Sequence, residues 1–138
     1  MELRTATVEN LVEVAKTSIS HGEKEAPESL DFVYAIDDHG TILAVGGAKI
    51  ITESTAFVWL NLSEKARDRM ILVYRVVRDW LDGWFEGCDQ TRLMAAVRCD
   101  FEEGKMTIEH LGFHQESVMP KFFGDEDAYM YVRFKEDK

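Results

Sequence analysis

The residues able to carry chemistry gather between Cys99 and Glu116, in the stretch CDFEEGKMTIEHLGFHQE. His110 and His114 could move a proton near neutral pH, and Glu109 and Glu116 could accept one. Cys99 and Asp100 stand at the head of the same stretch. His110 and His114 flank a tight Leu-Gly-Phe corner, which points the two rings apart. Neither these histidines nor Cys88 and Cys99 have metal-ligand spacing. Nothing beyond composition supports a Ser/His/Asp or Cys/His triad. Proton transfer is therefore the chemistry these side chains suit.

The elements that must position them can be read on either side. Leu93 to Val97 is a short apolar run that suits an inner strand. Phe101, Gly104, Lys105, Ile108 and Leu111 recur at helical steps, with Asp100 as the expected N-cap. Gly112 falls where a left-handed helix end favours glycine. Upstream, residues 2–7 read as a strand, and Val8, Leu11, Val12, Ala15 and Ile19 as a helix face capped by Thr7. Residues 20–29, which include His21, read as a loop. Strands at 32–36 and 41–52 enclose the turn Asp37-Asp38-His39-Gly40, a hairpin pattern. Gly46 and Gly47 inside the second strand predict a bulge or a close backbone approach. A third strand follows at 56–62, then a helix over 63–87. That helix is apolar around much of its surface, so a sheet on one side and a second cover are expected. Strands at 114–119 and 128–134 around a loop at 120–127 complete the order β-α-β-β-β-α-β-α-β-β. This order predicts a mixed α/β (α+β) sheet of six to seven strands with helices on both faces, in one domain over residues 1–138.

The chain has 138 residues and a formal net charge of -10, with 46% hydrophobic residues. That composition fits a packed globule and excludes a disordered chain. The acidic balance excludes general nucleic-acid binding and fits a basic or amine-bearing partner. No apolar run approaches the roughly 18 residues of a membrane span. With no secretory signal and no disulfide framework, the cytoplasm is the expected compartment.

Element order and residues together resemble the GCN5-related N-acetyltransferase superfamily over nearly the whole chain. In that family the last quarter often reads N-x-x-A-x-x-L-Y-E-K-L-G-F before a strand. The corresponding stretch here runs from Phe101 to Phe113, and Glu109, Leu111, Gly112 and Phe113 match. The hairpin DDHGTILAVGGAKI resembles the family's second and third strands. The resemblance implies acetyl-CoA or coenzyme A in a cleft between the fourth and fifth strands, beside Leu60 and Leu62. It also implies acetyl transfer to the amine of a small molecule or protein.

The departures bear on activity. The family's phosphate loop reads R/Q-x-x-G-x-G/A, whereas residues 62–71 here, LSEKARDRMI, contain no glycine. Lys65, Arg67 and Arg69 are the side chains that could hold the diphosphate instead. Ile108 stands where the family's general-acid tyrosine stands, and Phe101 replaces its asparagine. The fourth strand lacks a carboxylate, which leaves Glu53, several residues earlier, as the candidate base, with His110 and His114 as alternatives. The chain is also similar to degenerate members encoded by tailed bacteriophages. That similarity implies a second possibility, a non-enzymatic binding or assembly protein in the host cytoplasm or virion, with a phage structural protein or a second copy as partner.

Overall fold

The computed structural model describes residues 2–7, 9–10, 13–14 and 32–136. Seven strands form one sheet in the order β1-β2-β3-β4-β5-β7-β6. They are β1 (Glu2–Thr5), β2 (Phe32–Asp38), β3 (Thr41–Ile50), β4 (Thr55–Leu62), β5 (Arg92–Arg98), β6 (His114–Phe123) and β7 (Glu126–Phe134). Every neighbouring pair is antiparallel except β4 with β5. A 3-10 turn (Glu64–Arg69) leads into helix α1 (Met70–Gly87), and α2 (Glu102–His110) follows β5. The mixed seven-stranded sheet agrees with the architecture expected from element order.

The β2–β3 hairpin closes as its residues dictate. His39 and Gly40 both have positive φ, 52° and 92°, the geometry of a two-residue turn between twisted strands. Asp37 fixes it, accepting the Gly40 N–H at 2.7 Å and the Arg4 Nε at 3.0 Å. The strand reaches Asp38, two residues past the expected end. Gly46 marks a close approach, because a Cβ there would stand 2.7 Å from the Trp59 carbonyl oxygen. The bulge lies nearer the turn, at Leu43 of β3, which is passed over between the pairs Ile36↔Ala44 and Asp37↔Ile42.

Helix α1 lays Val73, Leu81 and Phe85 on the sheet, against Ala44, Val58 and Leu93 among others. Burying side chains of this size stabilises the fold by about 1.5–3 kcal/mol each. The expected second cover is missing at its start: Ile71 is 70% and Leu72 39% exposed. The first turn is 3-10 rather than α, because the Ser63 hydroxyl accepts the Lys65 N–H at 3.0 Å and tightens the entry. Gly87 is the last helical residue, and the chain leaves through an extended Cys88. On the opposite face, Val14 packs with Ala35, Ile42 and Val45. Thr7 and Asn10 cap each other there, the Asn10 backbone N–H on the Thr7 hydroxyl and the Thr7 backbone N–H on the Asn10 side-chain Oδ1. The stripe expected at Val8, Leu11, Val12, Ala15 and Ile19, and the loop holding His21, lie outside the described residues.

Around α2 the two ends turn out differently. Phe101, not Asp100, occupies the N-cap and gives no side-chain bond, while Asp100 pairs with Arg98. The other end is a Schellman cap: Phe113 N–H bonds to Ile108 and Gly112 N–H to Glu109, with Gly112 at φ 92°. Residues 120–127 are not a loop, since β6 runs through Pro120 to Phe123 and meets β7 at a Gly124-Asp125 turn. Proline fits because β6 is the sheet's edge and its pairing shifts register between Met119 and Phe123.

Two measurements test this account. Gly112→Ala meets no atom closer than 3.5 Å, so urea unfolding should show only the left-handed backbone cost, about 1–2 kcal/mol. Gly46→Ala must separate β3 from β4 and should lower the urea midpoint further. Arg4's hydrogen bond, then the Gly40 N–H, holds the Asp37 carboxyl below its ordinary 3.8. Its stabilising effect is thus complete above that value and is lost as pH falls through the lowered one. Asp37→Asn should flatten acid denaturation in that window.

Candidate active-site cleft

Strands β4 and β5 begin side by side and then part. Their pairing covers Thr55↔Arg92, Ala56↔Leu93 and Phe57↔Met94. Beyond this, β4 stays paired to β3 as far as Leu62, and β5 to β7 as far as Arg98. The facing edges from Val58 and Ala95 onward open into a V. A strand with one neighbour leaves N–H and C=O groups unpaired along its other edge. Those edges border an apolar cavity of about 130 Å³, closed above by α1 and α2. Leu60, Leu62, Ala95, Val97, Trp80 and Ile108 are among its walls. The small residues Gly46, Gly47, Ala95 and Ala96 keep it open. Among the described residues no charged side chain lines it, and the hydroxyls present are those of Tyr34 and Thr107. Thr107 already donates its proton to the Glu103 carbonyl at 2.8 Å.

Of the side chains singled out by sequence, Leu60 and Leu62 are in the cleft wall. Lys65, Arg67 and Arg69 sit on the 3-10 turn that follows β4, at the open end of the V, and all are exposed. Arg69 is held by Asp38 at 3.0 Å. Glu53 lies in the exposed segment before β4, at the closed end of the V. His110 ends α2 with its ring edge-on to Tyr74, while His114 starts β6 beside the Phe134 ring. The two histidines therefore face different surroundings, as the corner between them implied. Glu109 bonds the Tyr131 hydroxyl, and burial first, then Glu109, raises that phenol's pKa. Glu116 is clamped by the Arg92 guanidinium, which lowers its carboxyl's pKa.

Sequence reasoning missed Tyr34, the one ionisable side chain in the cleft lining among the described residues. Its ring sits 5.3 Å from that of Trp80. The signal was its register: Tyr34 pairs with Gly46, and a residue opposite glycine has room to lie across the neighbouring strand.

The two ends of the site differ in how well they suit coenzyme A. The slot fits an extended arm bearing amides, since apolar walls and open strand edges offer backbone partners along its length. The diphosphate end does not offer the backbone donors the family uses. Ser63, buried, fills that cradle itself: its hydroxyl takes the Lys65 N–H and its carbonyl the Ala66 N–H. Glu64 and Asp68 add like charge there, and of the three cations on this turn only Arg69 has a described ion pair, which leaves Lys65 and Arg67.

No protein-family model matches the sequence, and no curated protein matches it. Solved structures do. A spermidine N-acetyltransferase chimera from Vibrio cholerae and hSSAT is 11% identical, with 97% of this chain and 95% of that one covered at a TM-score of 0.75. The ribosomal-protein-S18-alanine N-acetyltransferase of Escherichia coli is 12% identical over 99% and 95%, with a TM-score of 0.73. Ard1 of Thermoplasma volcanium is 20% identical over 96% of each chain, with a TM-score of 0.70. The chain thus has the GCN5-related N-acetyltransferase fold. Among the described residues no helix is long and apolar enough to cross a membrane, and no group of His, Cys, Asp and Glu is placed to hold a metal.

The Ser63 cap can be measured. Ser63→Ala should lower the unfolding free energy by about 1 kcal/mol, the usual worth of an N-cap, read as a lower urea midpoint.

Proposed function

We propose that this chain binds an acyl-coenzyme A thioester and transfers its acyl group to a primary amine. The parting of β4 and β5 over an apolar slot carries this reading. In it, the β4 edge at Val58 to Leu60 holds the amides of the arm and gives an N–H to the oxyanion that forms when the amine attacks the thioester carbon. Tyr34 hands a proton to the sulfur as the carbon–sulfur bond breaks, the role that Ile108 cannot fill. Lys65 and Arg67 meet the diphosphate. Glu53, His110 and His114 lie outside the cleft lining, so the proton lost by the amine reaches them only through solvent. The acceptor is an amine-bearing small molecule or protein. Structural neighbours named for spermidine and for a ribosomal-protein alanine support the amine, and the net charge of -10 favours a cationic acceptor.

A second reading keeps the fold for binding or assembly without catalysis, in the cytoplasm or in a phage virion. The self-capped 3-10 turn and Ile108 favour it.

Calorimetry with acetyl-CoA separates the two. The enzyme reading expects binding at micromolar ligand that Lys65→Ala with Arg67→Ala weakens at least tenfold, and turnover that Tyr34→Phe lowers more than it lowers affinity. No heat at millimolar acetyl-CoA would leave the assembly reading standing.

A further inference from the structure

Residues 64–78, which follow β4 at the open end of the V, hold five basic and two acidic side chains in a chain whose net charge is -10. Lys65 and Arg67 stand exposed on the 3-10 turn, and Arg75 is exposed on α1, one helical turn beyond Ile71. Ile71 and Leu72 are the exposed large apolar residues of α1, so cations stand on both sides of an apolar patch. The patch adjoins the turn over which an arm seated between β4 and β5 would leave. On that turn the Ser63 hydroxyl and carbonyl occupy the Lys65 and Ala66 N–H groups that a diphosphate would use. The slot thus suits a pantetheine arm better than its mouth suits the rest of coenzyme A, which adds a diphosphate and a phosphate on the ribose. Carrier proteins bear the same arm on a serine through one phosphodiester, and bring protein surface where coenzyme A brings phosphate. We infer that this site takes its acyl thioester, in preference to coenzyme A, from the phosphopantetheine arm of a small acidic carrier protein docked on Ile71, Leu72, Arg67 and Arg75. Carboxylates of the carrier meet the two arginines, and an apolar side chain covers Ile71 and Leu72. The transfer itself is unchanged: the amine nitrogen bonds to the acyl carbon, the carbon–sulfur bond breaks, and the sulfur left on the carrier takes up a proton as a thiol. The inference rests on the acyl-thioester reading and names the bearer of the thioester.

Calorimetry on the full chain compares acetyl-coenzyme A with an acetylated acyl carrier protein and with the same carrier lacking its arm. The acetylated carrier should bind at least tenfold tighter than acetyl-coenzyme A, and loss of the arm should weaken the carrier at least tenfold. Added salt should weaken it too, as the docking charges are screened. Ile71→Asp with Arg75→Glu should cost the acetylated carrier at least tenfold and acetyl-coenzyme A less than twofold, because neither residue lines the slot. Thermal unfolding would verify that this variant is folded. Acetyl-coenzyme A binding as tightly as the acetylated carrier, or a carrier indifferent to the double substitution, would overturn the inference while leaving the acyl-transfer reading in place. So would a patch that binds anionic lipid vesicles and not the carrier. No binding of either thioester would instead remove that reading, and this one with it.

Discussion

A sheet that must stay continuous while opening in its middle sets the terms for the rest of the molecule. β4 is tied to β3 from Ile50↔Ala56 to Ala44↔Leu62, and β5 to β7 from Arg92↔Phe134 to Arg98↔Ala128. Each is fully committed to its outer neighbour and shares only its first residues with the other. Past Phe57 and Met94 the β4–β5 ladder ends, so the polar backbone groups of Val58 to Leu60 and Ala95 to Val97 lack ladder partners across the gap. Such groups cost free energy when dry, so the opening must admit either water or a ligand with amides of its own. The helices set the size of that opening. α1 and α2 cover it with Val77, Trp80 and Ile108, and Phe101 packs tightly on Gly104 at its rim.

The same economy of partners explains the phosphate end. In an anion-binding helix start, N–H groups are left for the ligand. Here the Ser63 side chain and carbonyl take two of them, and Asp38 takes Arg69. A diphosphate would thus depend on two flexible side chains rather than on fixed dipoles, a weaker and more salt-sensitive hold. The apolar slot and the polar end are therefore unequal, and in the acyl-thioester reading proposed above the slot would carry most of the affinity.

Much of the fold was legible because local chemistry and tertiary structure agree. The Asp37–Gly40 turn needs positive φ and carries residues that tolerate it; Gly112 closes α2 for the same reason. Thr7 caps as its hydroxyl allows. What could not be read depended on distant partners. Asp100 looks like a cap but answers to Arg98. Pro120 looks like a loop residue, yet on an edge strand its missing N–H is no loss. The site was harder still. The cysteine, histidine and carboxylate types that drew notice lie outside the cleft lining, whereas Tyr34 enters it only because Gly46 stands opposite on the next strand.

The border formed by β6 has its own consequence. Its outer rim faces solvent over ten residues and carries the exposed apolar side chains Val118 and Phe122. An unguarded rim like this would template growth of the sheet from one molecule to the next. Pro120 offers no hydrogen to an incoming strand, and Lys121, at φ 54°, turns the backbone aside with a charge at its tip. Both features obstruct an added strand along the outermost edge, long as it is.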